Sequence, residues 1–87
     1  MRIKEGFVLR QVAGQGVVIA TGEASRHFSG MVKLNDTGSF IWGKLAENLD
    51  DDAIARALAS EYDVAPEQAA ADVSAFVAKM DEAGLLA

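Results

Sequence analysis

The chain has 87 residues, a net charge of −5, 51% hydrophobic residues and no cysteine. This length suits one domain spanning residues 1–87, and the missing cysteine excludes disulfides and thiolate metal ligands. The sequence has neither an apolar run of about 20 residues, which a membrane span would need, nor an apolar signal-peptide core at its start. We therefore expect a cytoplasmic protein with no membrane partner.

Three short segments in the first 34 residues have the pattern of β-strands. The first is Phe7 to Val12, and a glycine-containing link, Ala13 to Gly16, leads to the second, Val17 to Thr21, which is dense in β-branched residues. Together they predict a β-hairpin. Gly30 to Leu34 predicts a third, short strand.

Three helical segments follow. The first runs from about Thr37 to Glu47, and Asn35 or Asp36 can cap its start. The second begins near an Asp50 N-cap, and the third opens with Pro66 at a first helical position. The order β-β-β-α-α-α predicts an α+β domain, in which a three-stranded antiparallel sheet is followed by three helices.

Charge differs between these two parts. Residues 1–33 have a balance of +3, whereas residues 34–87 have a balance of −8. Surface helices are often acidic, so the split is only suggestive. It does argue against DNA binding, because a recognition helix should be basic and the second and third helical segments are acidic.

The side chains that an active site would need are missing. His27 is the single histidine, and nothing in the spacing of the serines and acids near it supports a catalytic triad. Asp50, Asp51 and Asp52 lack the alternation of a calcium loop and suit a helix start instead. We therefore predict no enzyme activity of this chain, no cofactor and no metal.

Two surfaces remain as candidates for binding. The run Gly30 to Leu34 has one charge and no proline, so as an edge strand it could accept another chain by β-augmentation. As an internal or covered strand it could not, and the sequence leaves both open. The third helix carries a wide apolar arc of Ala69, Ala70, Val73, Phe76, Val77 and Met80. Most of this arc must be core, but part of it could line a groove.

The stretch from Gly30 to Leu45 resembles the signature of the PqqD family, named for pyrroloquinoline quinone (PQQ) synthesis protein D. The matching motif is Leu-Asn-Asp-Thr-Gly at residues 34–38, followed by Ile41-Trp42 and Leu45. Weaker agreement continues through Ile54, Leu58 and Tyr62 and through Asp72, Val73 and Phe76. Members of this family are also called RiPP recognition elements, and they bind the leader part of ribosomally made precursor peptides.

The resemblance implies a winged helix-turn-helix-like fold that binds a leader peptide as an added strand and presents it to a maturation enzyme, for which a radical SAM protein is one candidate. It does not say whether the product is PQQ or another modified peptide. It implies these peptide-binding residues: Ser29, Gly30, Met31, Val32, Lys33, Asp72, Val73, Phe76, Val77, Lys79 and Met80. Lys33, Asp72 and Lys79 would recognise charged side chains of the peptide. Proline at Val32 should abolish peptide binding if the N–H of Val32 faces the edge.

A homodimer is the main alternative, because a sheet edge that accepts a peptide can also accept a second copy of the chain. A winged-helix DNA-binding regulator is the weaker alternative, for the charge reason given above.

Overall fold

The computed structural model describes residues 3–26 and 30–87, so His27 and Ser29 lie outside the described residues. The order of elements confirms the predicted α+β fold, a three-stranded antiparallel sheet followed by three helices. The elements are β1 (Phe7–Val12), β2 (Gln15–Ala20), a 3₁₀ turn (Gly22–Arg26), β3 (Met31–Leu34), α1 (Asp36–Ala46), α2 (Asp51–Tyr62) and α3 (Pro66–Glu82).

The β1–β2 connection is tighter than the sequence indicates. Gln15 and Gly16 belong to β2, so the prediction that they form part of the link is wrong. Only Ala13 and Gly14 make the turn, with φ of 53° and 79°. Two consecutive positive φ values are those of a two-residue type I′ turn, which matches the twist of a hairpin.

The junction between β3 and α1 is fixed by Asn35. Its side-chain Oδ1 accepts hydrogen bonds from the Gly38 backbone N–H at 2.8 Å and from the Thr37 hydroxyl at 3.1 Å. Asn35 is therefore the N-cap, and Asp36 is the first helical residue, where its carboxylate suits the helix dipole. This cap stops β3 and starts α1 within one residue.

The other two helices have the predicted starts. Asp50 caps α2 by accepting a hydrogen bond from the Ala53 N–H at 2.8 Å, and Pro66 is the first residue of α3. After α3, Gly84 has φ of +84° and the Leu85 N–H donates to the Met80 carbonyl. This C-terminal turn folds the fully buried Leu85 back onto the core.

One hydrophobic core fills the space between the sheet and the helices. Trp42 is 3% exposed there. On the sheet side, Leu9, Val18 and Val32 lie in register on one face and pack in this core. On α3 the buried residues are Ala69, Val73, Val77 and Met80, whereas Ala70 is exposed and so lies off the apolar arc that the sequence assigned to it.

Candidate functional site

β3 is an edge strand. The sheet order is β1-β2-β3, so β3 pairs with β2 on one side and with no other strand among the described residues on the other. Its sequence has one charge and no proline, so two common protections of a sheet edge are weak or missing here. The question that the sequence left open, edge or internal strand, is answered in favour of the edge.

The direction of the backbone groups on β3 follows from the ladder. The Thr21 N–H donates to the Gly6 carbonyl at 2.6 Å, so this residue just after β2 faces β1. Hydrogen bonding alternates along an antiparallel strand, so the odd-numbered residues of β2 bond to β1 and the even-numbered ones bond to β3.

The partners of those even-numbered residues are Leu34, opposite Gly16, and Val32, opposite Val18. Val32 and Leu34 therefore form hydrogen bonds with β2 through their N–H and C=O groups. Met31 and Lys33 direct their N–H and C=O groups to the open edge. The condition attached to a proline at Val32 is not met, because the N–H of Val32 faces β2. A proline at Lys33, in contrast, would remove an N–H that faces the open edge.

α3 approaches the end of β3 through Phe76. A Cβ atom built on Gly38 would lie 3.2 Å from Cε1 of Phe76 and 3.5 Å from Cβ of Leu34. The Phe76 ring, half-buried, therefore sits beside the corner where β3 ends and α1 begins. Asp72 and Lys79 are spaced four and three residues from Phe76, which places the three on one side of α3.

An open cavity of about 360 Å³ lies between the start of α1 and this side of α3. Asn35, Thr37 and Gly38 line it from α1, and Asp72 and Phe76 line it from α3. Since Asn35 directly follows Leu34, the cavity adjoins the end of the β3 edge. Sequence reasoning treated Asn35 and Thr37 only as determinants of the fold, although the motif at residues 34–38 singled both out.

The charges of the site stand at its rim. Lys33 and Lys79 are exposed, and Asp72 is half-buried. The Asp72 carboxylate accepts a hydrogen bond from the Gln68 side chain at 2.8 Å, one turn earlier in α3. This bond holds the carboxylate at the helix surface.

The implied site residues therefore divide into two groups. Met31, Lys33, Asp72, Phe76 and Lys79 lie around the β3 edge and the exposed side of α3. Gly30, exposed and with φ of 102°, precedes them. Ser29 lies outside the described residues.

The second group faces the core, and the half-buried Val32 on β3 belongs to it. Val73 and Met80 are 1% and 0% exposed, so they support α3 from inside the core and present almost no surface. Val77, at 8%, borders a cleft with Asp50, Asp51 and Asp52 at the start of α2. Of Phe76, Val77 and Met80 on the apolar arc, Phe76 alone faces the β3 side.

The part of the chain that the structure describes holds no group of three or more His, Cys, Asp or Glu side chains that could bind a metal ion. In the same residues, no helix combines the length and the apolar character that crossing a bilayer requires.

Comparison with known proteins places the chain in a family. The family model for coenzyme PQQ synthesis protein D (PqqD) matches residues 7–86. No curated protein matches the chain significantly. Two solved structures have a similar fold, each with a TM-score of 0.80 and covering 99% of this chain.

One of them is TbiB1 in complex with the TbiA(beta) leader peptide, at 23% sequence identity and with 94% of that chain covered. The other is lasso peptide synthetase B1 complexed with the leader peptide, at 24% identity and 95% coverage. At these identities the likeness shows a shared fold. The match of the family model over nearly the whole chain shows more: this protein belongs to the PqqD family.

Proposed function

We propose that this protein binds the leader segment of a ribosomally made precursor peptide along β3 and α3 and presents it to a modifying enzyme. The observation that carries the proposal is the open β3 edge, where Met31 and Lys33 direct backbone groups outwards next to Phe76. Membership of the PqqD family supports it, as does the presence of a leader peptide in both structures of similar fold.

The peptide would add to the sheet as a fourth strand. The two outward residues of β3 offer two N–H and two C=O groups, and each hydrogen bond contributes a net ~0.5–1.5 kcal/mol. Micromolar affinity requires about 8 kcal/mol, so backbone pairing alone falls short. Apolar contacts must supply the remainder, and Phe76 is the half-buried aromatic side chain placed to give them.

The charged residues would set the register of the peptide. Lys33, Asp72 and Lys79 stand at the rim, where an ion pair contributes only ~0.2–1 kcal/mol. Contacts of this strength select among peptides and orient them without dominating affinity. Val73, Val77 and Met80 would act indirectly, by holding α3 at its distance from β3 from within the core.

The chemistry would belong to the partner. We propose that the chain itself is not catalytic, because its sequence supplies no convergent set of nucleophile, base and acid. The partner would be the enzyme that modifies the precursor, and radical SAM proteins are one candidate class. PQQ is one candidate product among the RiPP classes. The single-domain organisation of residues 1–87, the winged-helix likeness and the cytoplasmic location stay predictions.

A second copy of the chain is the competing occupant of the edge. It is favoured by the same open β3, and β1 forms the other edge of the sheet. DNA is disfavoured, because α2 and α3 present acidic residues at their first turns and carry only Arg56 and Lys79 as basic residues against them.

The test is a fluorescence anisotropy titration with a labelled synthetic leader peptide, taken from the short precursor encoded nearest to this gene. We expect saturation at micromolar protein or below, with the mass of a 1:1 complex by light scattering. A peptide of reversed sequence is the control, since it keeps composition and charge. Equal binding of both peptides, or a dimer that binds neither, would refute leader recognition.

A further inference from the structure

The sheet has a second face that the core does not use. Residues of the strands alternate between faces, and Leu9, Val18 and Val32 occupy the face that packs on the helices. The other face, here called the outer face, carries Val8, Arg10, Val12, Gln15, Val17, Ile19, Met31 and Lys33. None of its five apolar residues, Val8, Val12, Val17, Ile19 and Met31, belongs to or packs against the core cluster.

The outer face is nevertheless apolar. Val8, Ile19 and Met31 lie in register as one row across all three strands. Met31 is 61% exposed and Val12 is 58% exposed, and these two are among three large hydrophobic residues that stand out in this way in residues 3–26 and 30–87. Val8 and Ile19 are half-buried, and a connected apolar patch on a protein surface is often a contact site.

The charge on the outer face has one sign. The three strands contain two basic residues, Arg10 and Lys33, and no acidic residue. These two flank Val17 in register, and Val17 is only 4% exposed although it lies away from the core. The aliphatic stems of Arg10 and Lys33 are placed to cover it while their charged ends stay in water. Neither forms an ion pair with another described residue.

We infer that the outer face is the docking surface for the peptide-modifying enzyme, through an apolar patch on that enzyme bordered by Asp or Glu side chains. This inference rests on the proposed function and adds the location and chemistry of the second contact. Charge complementarity selects this occupant. Two copies joined face to face would oppose Arg10 and Lys33 to the same residues, which costs affinity.

The position of the outer face also connects it to the peptide. A leader strand added beside β3 would direct alternate side chains to the outer face, next to Met31 and Lys33. Three strands of this length present only ~300 Å², and a fourth strand would widen the surface by about a third. A standard interface buries about 800 Å² on each partner, so this is a small, transient one. The enzyme should therefore bind the leader-loaded protein more tightly than the free protein.

Charge reversal tests the inference. Arg10 is exposed on β1, two strands away from the β3 edge, so Arg10→Glu should leave leader binding unchanged. Arg56→Glu is the matched control, because Arg56 is exposed on α2 and the charge change is identical. The probe is the modifying enzyme encoded beside the precursor, and its affinity is measured by calorimetry with and without leader peptide. Leader binding is measured separately by anisotropy.

We expect Arg10→Glu to weaken enzyme binding by about fivefold or more and Arg56→Glu to leave it unchanged. Val12→Glu, at an exposed position of the same face, should act like Arg10→Glu. Wild-type enzyme affinity in both outer-face variants would overturn the inference while normal leader binding kept the proposed function intact. No enzyme binding by the wild type, with normal leader binding, would overturn both the inference and the presentation step of the proposed function. Loss of leader recognition in the wild type would instead refute the proposed function, and the enzyme titration without leader would still decide the docking surface.

Discussion

Gly38, in the first turn of α1, lies directly against the ring of Phe76 on α3: a Cβ atom at Gly38 would be 3.2 Å from the Phe76 Cε1. Most side chains could not be accommodated there without moving the ring. The glycine of the family motif thus permits α1 and α3 to approach each other at the end of β3, and this approach forms one end of the candidate groove.

Substitution of Gly38 should therefore separate helix propensity from steric fit. Gly38→Ala gains about 1 kcal/mol of helix propensity but crowds Phe76 and Asn35, so we expect little net change in the free energy of unfolding. Gly38→Val should lower it by ~1–3 kcal/mol and displace the ring, weakening leader binding. Urea unfolding and peptide anisotropy measure the two effects.

Gly43 provides the control in the same helix. A Cβ atom there would have no described neighbour within 4 Å, so Gly43→Ala should stabilise the protein by about 1 kcal/mol and leave peptide binding unaltered. Equal effects of valine at positions 38 and 43 would contradict the role assigned to Gly38.

Phe76 should be the main apolar contact for the peptide. Phe76→Ala removes the aromatic wall, and we expect leader affinity to fall about tenfold or more, with a loss of ~1–3 kcal/mol in the free energy of unfolding. Phe40 is the matched control: it is also half-buried, and its ring packs edge-to-face on Tyr62 at 5.6 Å.

Phe40→Ala should cost similar stability and leave leader binding unchanged. Isothermal titration at a temperature where both variants are folded compares the affinities. If the two variants bound peptide equally well, Phe76 would not be part of the groove.

The outward direction of the Lys33 N–H gives a backbone prediction. Lys33→Pro removes a donor that faces the open edge, so the fold should persist while leader affinity falls about tenfold or more. Lys33→Ala keeps the N–H and loses only a rim charge, so its effect should stay below about fivefold.

Val32→Pro should behave differently. It removes a bond between β3 and β2, and the free energy of unfolding should drop by more than about 1 kcal/mol. Chemical denaturation of all three variants checks the assignment. A stable Val32→Pro protein together with an unfolded Lys33→Pro protein would reverse the direction given to the strand.

The Asp50 cap gives a prediction about stability alone. Asp50→Ala leaves the Ala53 N–H without its partner and should lower the free energy of unfolding by about 1 kcal/mol. Asp51→Ala, one residue later, removes a similar charge but no cap bond. It should lower the free energy of unfolding by only a few tenths of a kcal/mol. Leader binding should be normal in both, because the cap lies away from the β3 edge.

The fold could be predicted from the sequence because its signals are local. Asn35, Asp50 and Pro66 mark helix starts by their side-chain chemistry, and the β-branched run in β2 marks a strand. The two-residue turn was missed because Ala13 adopts a positive φ that alanine seldom does, so the residue type gave no warning.

The site was harder to predict. Spacing along α3 shows which residues share a stripe, but the sides of the stripe that face β3 and α2 depend on how the helices pack. Phe76 and Val77 are adjacent in sequence, yet Phe76 meets Gly38 and Val77 borders the acidic start of α2. Likewise, the outward direction of Lys33 depends on the pairing register of all three strands.

The most direct test of leader recognition is a titration of ¹⁵N-labelled protein with the leader peptide, following each backbone amide by NMR. We predict that shifts concentrate at residues 30–33 and at Asp72, Phe76 and Lys79, that the Lys33 amide shows the downfield shift of a new hydrogen bond, and that Arg10 and Arg56 stay unperturbed. Saturating shifts centred on α2 or on the β1 edge, with the β3 amides unchanged, would contradict the account.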